Sequence, residues 1–313
     1  MITMGRKKLW VFLLLFCLVL GIVFCLIEKE ESVQNVVGAS WVVGESTELT
    51  RLGVGVGKSS GIDFDSLYPW SEMKPDFKDE QTVVRIPKFY YKRTYDGVKH
   101  EFWIADKPTA GFKVHPAFIR DGEVKDYIYV GANKFGTSQT IDACRSTAQG
   151  YGAGWGLIDI QTWSAIQMLW LVEYADTDSQ KFSYNYRGII SDNYRGINGL
   201  WTNLGQWIDG FEARDRRVYI VGQDTGFTLP EDSGWIGNWH CSDTYDWLFL
   251  PSAEGGSKNT YIPDYIWTGN GTRVACAGFD SHHSAADGLF FWTVCYSSDF
   301  ASSDVGARAL HIP

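Results

Sequence analysis

Arg273-Val-Ala-Cys276-Ala-Gly278-Phe-Asp280-Ser281-His282-His283-Ser284-Ala-Ala-Asp287-Gly288-Leu-Phe290-Phe-Trp292 runs on into Thr293-Val-Cys295-Tyr296-Ser-Ser298-Asp299-Phe300-Ala301-Ser302-Ser303-Asp304-Val-Gly306-Ala-Arg308-Ala-Leu310. Two kinds of position are interleaved here. Gly278, Gly288, Leu289, Phe290, Phe291, Trp292, Gly306, Arg308 and Leu310 read as scaffold, with turn glycines around an apolar strand at Phe290–Trp292. Cys276, Asp280, Ser281, His282, His283, Ser284, Asp287, Thr293, Cys295, Tyr296 and the run from Ser297 to Asp304 read as arbitrary, because no period or packing pattern links them.

The arbitrary positions share a chemical limit. Beyond Lys258 the chain contains no Lys, Glu, Gln or Met, although it uses all four earlier. With Trp, these are the residues that an Asn codon cannot reach by changes at its two adenines alone. Asp, Ser, His, Tyr, Thr, Cys, Ala and Phe can all be reached that way. The pattern resembles the variable repeat of a diversity-generating retroelement target, in which error-prone reverse transcription rewrites adenines near the C-terminus of a C-type-lectin-like protein. The frame is similar as well, with a glycine-opened polar run, a Phe-Trp core, a Ser-rich run and a terminal Gly-x-Arg.

A second stretch, Tyr194-Arg-Gly-Ile-Asn-Gly-Leu-Trp201-Thr-Asn-Leu-Gly-Gln-Trp207-Ile-Asp-Gly210, resembles the Gly-Asn-Val-Trp-Glu-Trp element of formylglycine-generating-enzyme-like domains, a branch of the same fold. It is also similar to the Tyr-Arg-Gly-Ile-x-x-Leu-Trp-x-Asn segment of phage-encoded variable proteins. Asp243–Pro251 and Tyr261–Tyr265 look like the fixed lead-in to the repeat. The resemblance covers about 85–310 and implies an α+β, loop-rich C-type-lectin-like fold with short antiparallel strands and one or two core helices. In it, Trp201 and Trp207 are expected as core anchors.

Composition agrees with a large folded ectodomain. The 313 residues are 45% hydrophobic and 15% aromatic with 14 Trp, and each large ring can bury on the order of 150–250 Å². The net charge of −9 comes without a basic stripe, which argues against nucleic acid as a partner. None of the six Cys forms a Cys-x-x-Cys pair, so zinc has no spacing support.

Arg6, Lys7 and Lys8 precede an uninterrupted apolar run from Trp10 to Ile27, followed by Glu28, Glu30 and Glu31. As a helix this run would span about 27 Å, which matches a bilayer core. The flanking charges predict a cytoplasmic basic tail at 1–9, an anchor at 10–27 and an external bulk. A cleaved signal peptide is the rival, with Val37 and Ala39 as its processing site. A lipoprotein signal fits less well, because Phe24 precedes Cys25. The expected order is then a tether at 28–40, a Gly-rich segment at 41–80 and the lectin-like domain at 81–313, with the variable repeat at about 273–310.

Gly53-Val-Gly-Val-Gly57-Lys58-Ser59 falls short of a phosphate-binding loop, since Leu52 stands where its first glycine belongs. Gly57-Lys-Ser59-Ser-Gly61 has neither the preceding strand nor the following helix of a nucleophile elbow. Thr82–Tyr91 reads as a strand interrupted at Pro87, with a hairpin turn at Gly97 leading into Lys99–Ile104. Trp163, Ile166, Trp170 and Tyr174 recur at helical spacing within 162–175, apolar nearly all round and therefore central. His115 reads as a packed, hydrogen-bonded residue. Asp176, Asp178 and Gln180 read as a solvated helix exit without the glycine of a calcium loop.

The lectin-like branch also contains copper-dependent oxidases that use a close cysteine pair. Cys276 and Cys295 are far apart in sequence and sit among apparently rewritten positions, and His282-His283 fails as a metal pair for the same reason. No catalytic residue, metal ligand or cofactor is therefore expected. The mixture of Asp, Ser, His, Tyr and Phe suits a binding surface, and Tyr296 and Phe300, with His282 or His283, are expected to dominate affinity. The implied function is display, at a cell surface, of a ligand- or receptor-binding face, with a phage tail protein in the virion as the alternative. The partner would be a protein or glycan on another cell or phage surface, with self-association into a homo-oligomer as a further partner expectation.

Overall fold

The computed structural model describes residues 35–44, 46–186, 189–278 and 287–313. The expected tail at 1–9 and anchor at 10–27 lie outside the described residues, as do variable positions Asp280 to Ser284. Among the described residues no helix is long and apolar enough to cross a membrane.

Residues 36–313 fold as one compact α+β unit, mostly sheet, with two α-helices among the described residues. A five-stranded sheet has the order 50–53, 36–42, 99–105, 90–95, 113–114. The larger sheet has thirteen strands. Its path runs 251–254, 234–239, 262–268, 292–296, 272–277, 205–214, 305–311, 127–135, 81–87, 74–78. Its two halves join where Gly205 and Gln206 pair in parallel with Val305 and Gly306.

The longer helix, Ile160–Tyr174, packs on the 36–42 and 99–105 strands of one sheet and on strand 205–214 of the other. The Asp159 side chain caps it by accepting the Thr162 N–H at 2.8 Å. Nearly all of its side chains are buried, as the all-round apolar pattern predicts. The shorter helix, Ile141–Gln149, lies over strands 155–157 and 305–311, above a second, smaller apolar cluster. Alternation along the strands feeds the two clusters from opposite faces of the large sheet. Ile208, Ala275 and Ala277 join the main core, while Trp207, Val274 and Cys276 join the smaller one.

Two expected boundaries are corrected. Residues 36–40 belong to a strand paired along its length with 99–105, so the tether does not extend to 40. The Gly-rich stretch 41–80 is not a separate segment either. Trp41, Phe64 and Trp70 are fully buried in the main core, and the Trp70 indole donates to the Tyr194 hydroxyl at 3.1 Å. Their interior role outweighs the linker-like composition around them.

Smaller expectations resolve individually. The strand breaks after Pro87 and resumes at Tyr90, and the hairpin turns at Asp96-Gly97. His115 is buried, its Nδ1 accepts the Ala117 N–H at 3.2 Å, and burial pushes its pKa down to about 3. The acidic stretch after the long helix is not solvated. Asp176 is buried and ion-paired to Lys181 at 3.0 Å, and Gln180 donates to Asp264.

Candidate binding face

The scaffold residues form a continuous buried frame. Trp201, Trp207, Phe290, Trp292 and Arg308 are all buried. The Trp292 indole donates to Phe249 O at 3.2 Å, and the Trp207 indole to Gln139 O at 3.2 Å. The Arg308 fork spreads over the carbonyls of Gly131, Ala132, Asn198 and Gly199 and the side chain of Gln206. Burial lowers the Arg308 pKa to about 10, still protonated at neutral pH.

The glycines act mainly through close approach. Gly278 has φ +94°, and a Cβ there would sit 2.2 Å from Leu200 O. Gly288 and Gly306 do not supply the expected turns by unusual backbone angles. A Cβ on Gly288 would lie 2.3 Å from Asp264 Oδ1, and one on Gly306 2.8 Å from Phe135 O.

The segment following the 279–286 run is moored from outside the repeat. Phe290 N–H donates to Asp264 Oδ2 at 2.8 Å, Leu289 N–H to Ser179 Oγ at 2.8 Å, and the Gln167 amide to Leu289 O at 3.1 Å. Phe290 and Leu289 precede the strand, which begins at Trp292 and runs to Tyr296. The apolar strand expected at Phe290–Trp292 is thus displaced toward the C-terminus, because Phe290 is held in the mooring and the Phe291 N–H turns back to Gly288 O at 3.1 Å.

Strand 292–296 contains a bulge. Cys276 pairs with Thr293 but Val274 pairs with Tyr296, so three steps on one strand match two on the other. The extra residue turns Tyr296 away from the main core, where Trp292 and Val294 lie, and onto the face of Trp207. There the Tyr296 ring stacks on Phe300 at 3.9 Å and 3°, and both rings meet Trp207 nearly edge-on.

The described variable positions therefore divide by burial. Ser298, Asp299, Ala301 and Ser303 are exposed on the turn between strands 292–296 and 305–311. Cys295, Tyr296, Phe300, Ser302 and Asp304 are half-buried. Cys276, Asp287 and Thr293 are 1%, 4% and 2% exposed, so their place on an exposed contact face is corrected. Register places Cys276 and Thr293 inward: Cys276 lies opposite both Trp207 and Thr293 in the middle of the sheet. Tyr296 and Phe300, expected to dominate affinity, are half-buried, each with a ring face against the other.

Sequence reading missed the mooring by Gln167, Ser179 and Asp264, and the loop 136–140 that borders the exposed turn. A signal for the first was present in the polar Asp264 within the otherwise apolar Ile262–Ile266. No family model matches the chain, and no curated protein is significantly similar to it.

Proposed function

We propose that this chain is a displayed binding protein whose C-terminal turn is the diversified contact surface of a C-type-lectin-like fold, rewritten by a diversity-generating retroelement. The observation that carries the reading is the abrupt change at strand 292–296. The frame residues Phe290, Trp292 and Arg308 are fully buried, while Ser298, Asp299, Ala301 and Ser303 a few residues away are exposed. Random replacement is tolerable where packing does not decide, and exposed changes usually stay within about ±0.5 kcal/mol. A rigid frame also loses little ordering entropy on binding. The absence of Lys, Glu, Gln and Met beyond Lys258 supports the adenine-directed origin of that surface.

The apolar run 10–27 would hold this face outside a membrane, with a protein or glycan on another surface as partner. Sequencing the locus tests the reading directly. Codons at the variable positions should end in C or T and have adenine-rich counterparts in a template repeat beside a reverse transcriptase gene. A locus with neither template nor reverse transcriptase would sink it. Protease treatment of intact cells should release the C-terminal unit from a membrane-bound chain.

A further inference from the structure

A loop outside the repeat runs along the exposed turn. Ser138 N–H donates to Ser302 O at 2.9 Å, joining residues 137–139 to 301–303 backbone to backbone. Thr137 and Ser138 are exposed beside the exposed Ala301 and Ser303.

The loop is held rigid from beneath. The Trp207 indole donates to Gln139 O at 3.2 Å, so the residue that supports the Tyr296–Phe300 stack also fixes this loop. The Cys144 thiol lies 3.5 Å from Gly136 O and 3.6 Å from Gln139 Oε1, and Thr140 caps the following helix by accepting the Ala143 N–H at 3.2 Å. Gly136 has φ +71°, with room for a Cβ only 2.9 Å from Gln139 Oε1. Ser138 itself has φ +61°, a left-handed conformation that a non-glycine residue keeps only when its surroundings impose it. Its backbone N–H is thereby turned to the Ser302 carbonyl.

We propose that the binding face is composite: Thr137 and Ser138 form a constant rim beside the rewritten turn, and a protein partner docks across both loops. The inference rests on the binding function proposed above and adds a fixed half to its surface. Two adjoining loop tips carrying hydroxyls (Thr137, Ser138, Ser298, Ser303) and one carboxylate (Asp299) offer adaptable hydrogen bonding over a broad area, which is how protein surfaces are read. Among the described residues of this turn, the two large rings, Tyr296 and Phe300, are turned onto each other and Trp207 instead of standing free beside the exposed hydroxyls, which favours a protein partner over a sugar ring. Because the rim is already ordered, engaging it costs little conformational entropy. It would give every rewritten version the same docking edge.

The test uses the intact 36–313 unit, displayed as a library randomised at Ser298, Asp299, Ala301 and Ser303. It is selected in parallel on immobilised lysozyme and on immobilised dextran. Thr137→Arg is then placed in each selected clone, with Ser138→Gly as a companion that keeps the N–H and the backbone angle but removes the hydroxyl. Thermal melts confirm that both variants fold. Lysozyme binders should weaken by about tenfold or more with Thr137→Arg in most clones, and by a smaller factor with Ser138→Gly. Lysozyme affinities unchanged within about twofold across the clones would overturn the composite face while leaving the diversified turn standing. Binders to dextran alone would overturn the protein partner. No binders to either would sink the binding function itself, and the rim with it.

Discussion

Asp264 Oδ2 accepts the backbone N–H of Phe290 at 2.8 Å, inside a site without solvent exposure. Burial pushes the pKa of this carboxyl up to about 8, with the N–H of Phe290 opposing the shift and Asp178 adding to it. The folded chain therefore holds the proton more tightly than the unfolded one, so this group's contribution to stability is greatest at acid pH. It should decline as pH rises from about 4 to about 8, the ordinary and the folded pKa. Asp264→Asn removes the titration. Urea midpoints at pH 5 and pH 8 should therefore differ more in the native chain than in the variant, and equal differences would refute the assignment. Hydrogen exchange at the Phe290 amide should speed up in the variant, since an amide presents one acceptor where the carboxyl presents two.

Substitution should separate the variable positions into two groups. Cys276→Arg and Thr293→Arg place a charge at sites 1% and 2% exposed, and should unfold the protein or cost about 3–5 kcal/mol. Ser298→Arg and Ser303→Arg, on the exposed turn, should stay within about 0.5 kcal/mol. Denaturant midpoints decide, and a tolerant Thr293 would mean that the register across strand 272–277 is wrong.

Trp207→Ala should cost roughly 3–5 kcal/mol, as truncation of a fully buried indole does. The ring pair above it should behave as one unit. A double-mutant cycle on Tyr296→Ala and Phe300→Ala should give a coupling of about 0.5–1.5 kcal/mol. Strict additivity would show that the stack contributes nothing.

Gly278→Ala meets Leu200 O at 2.2 Å in a left-handed backbone and should cost at least about 2 kcal/mol. Gly222, with φ +76° and open space around it, isolates the backbone part alone, and Gly222→Ala should cost only about 1–2 kcal/mol. Comparable losses at the two sites would show that the close approach at Gly278 carries no weight.

Much of this arrangement was legible in the residues themselves. The stripe Trp163, Ile166, Trp170 marked the central helix, Pro87 and Gly97 marked a strand break and a turn, and the frame residues from Trp201 to Arg308 were recognisable by type. What escaped depends on partners distant in sequence. Whether Cys276 points inward is set by its pairing with Trp207 and Thr293. The bulge exists only in the match between two strands, so nothing within Trp292–Tyr296 announces that Tyr296 changes face. The Asp264 mooring joins groups far apart along the chain, and no local period records it. The domain start was misplaced because a few buried aromatics outweigh a glycine-rich composition.

The Arg308 guanidinium is held almost wholly by main-chain oxygens, those of Gly131, Ala132, Asn198 and Gly199, with Gln206 the one side chain in the set. Carbonyl oxygens survive substitution of the residues that bear them. Two separate segments of the chain, 131–132 and 198–199, can therefore drift in sequence without loosening the strand that ends the repeat, provided that Arg308 and the backbone path endure. If the turn is rewritten as proposed, heritable change can accumulate on both sides of this strand, slowly in the body of the protein and rapidly in the turn before it, with neither process obliged to wait for the other.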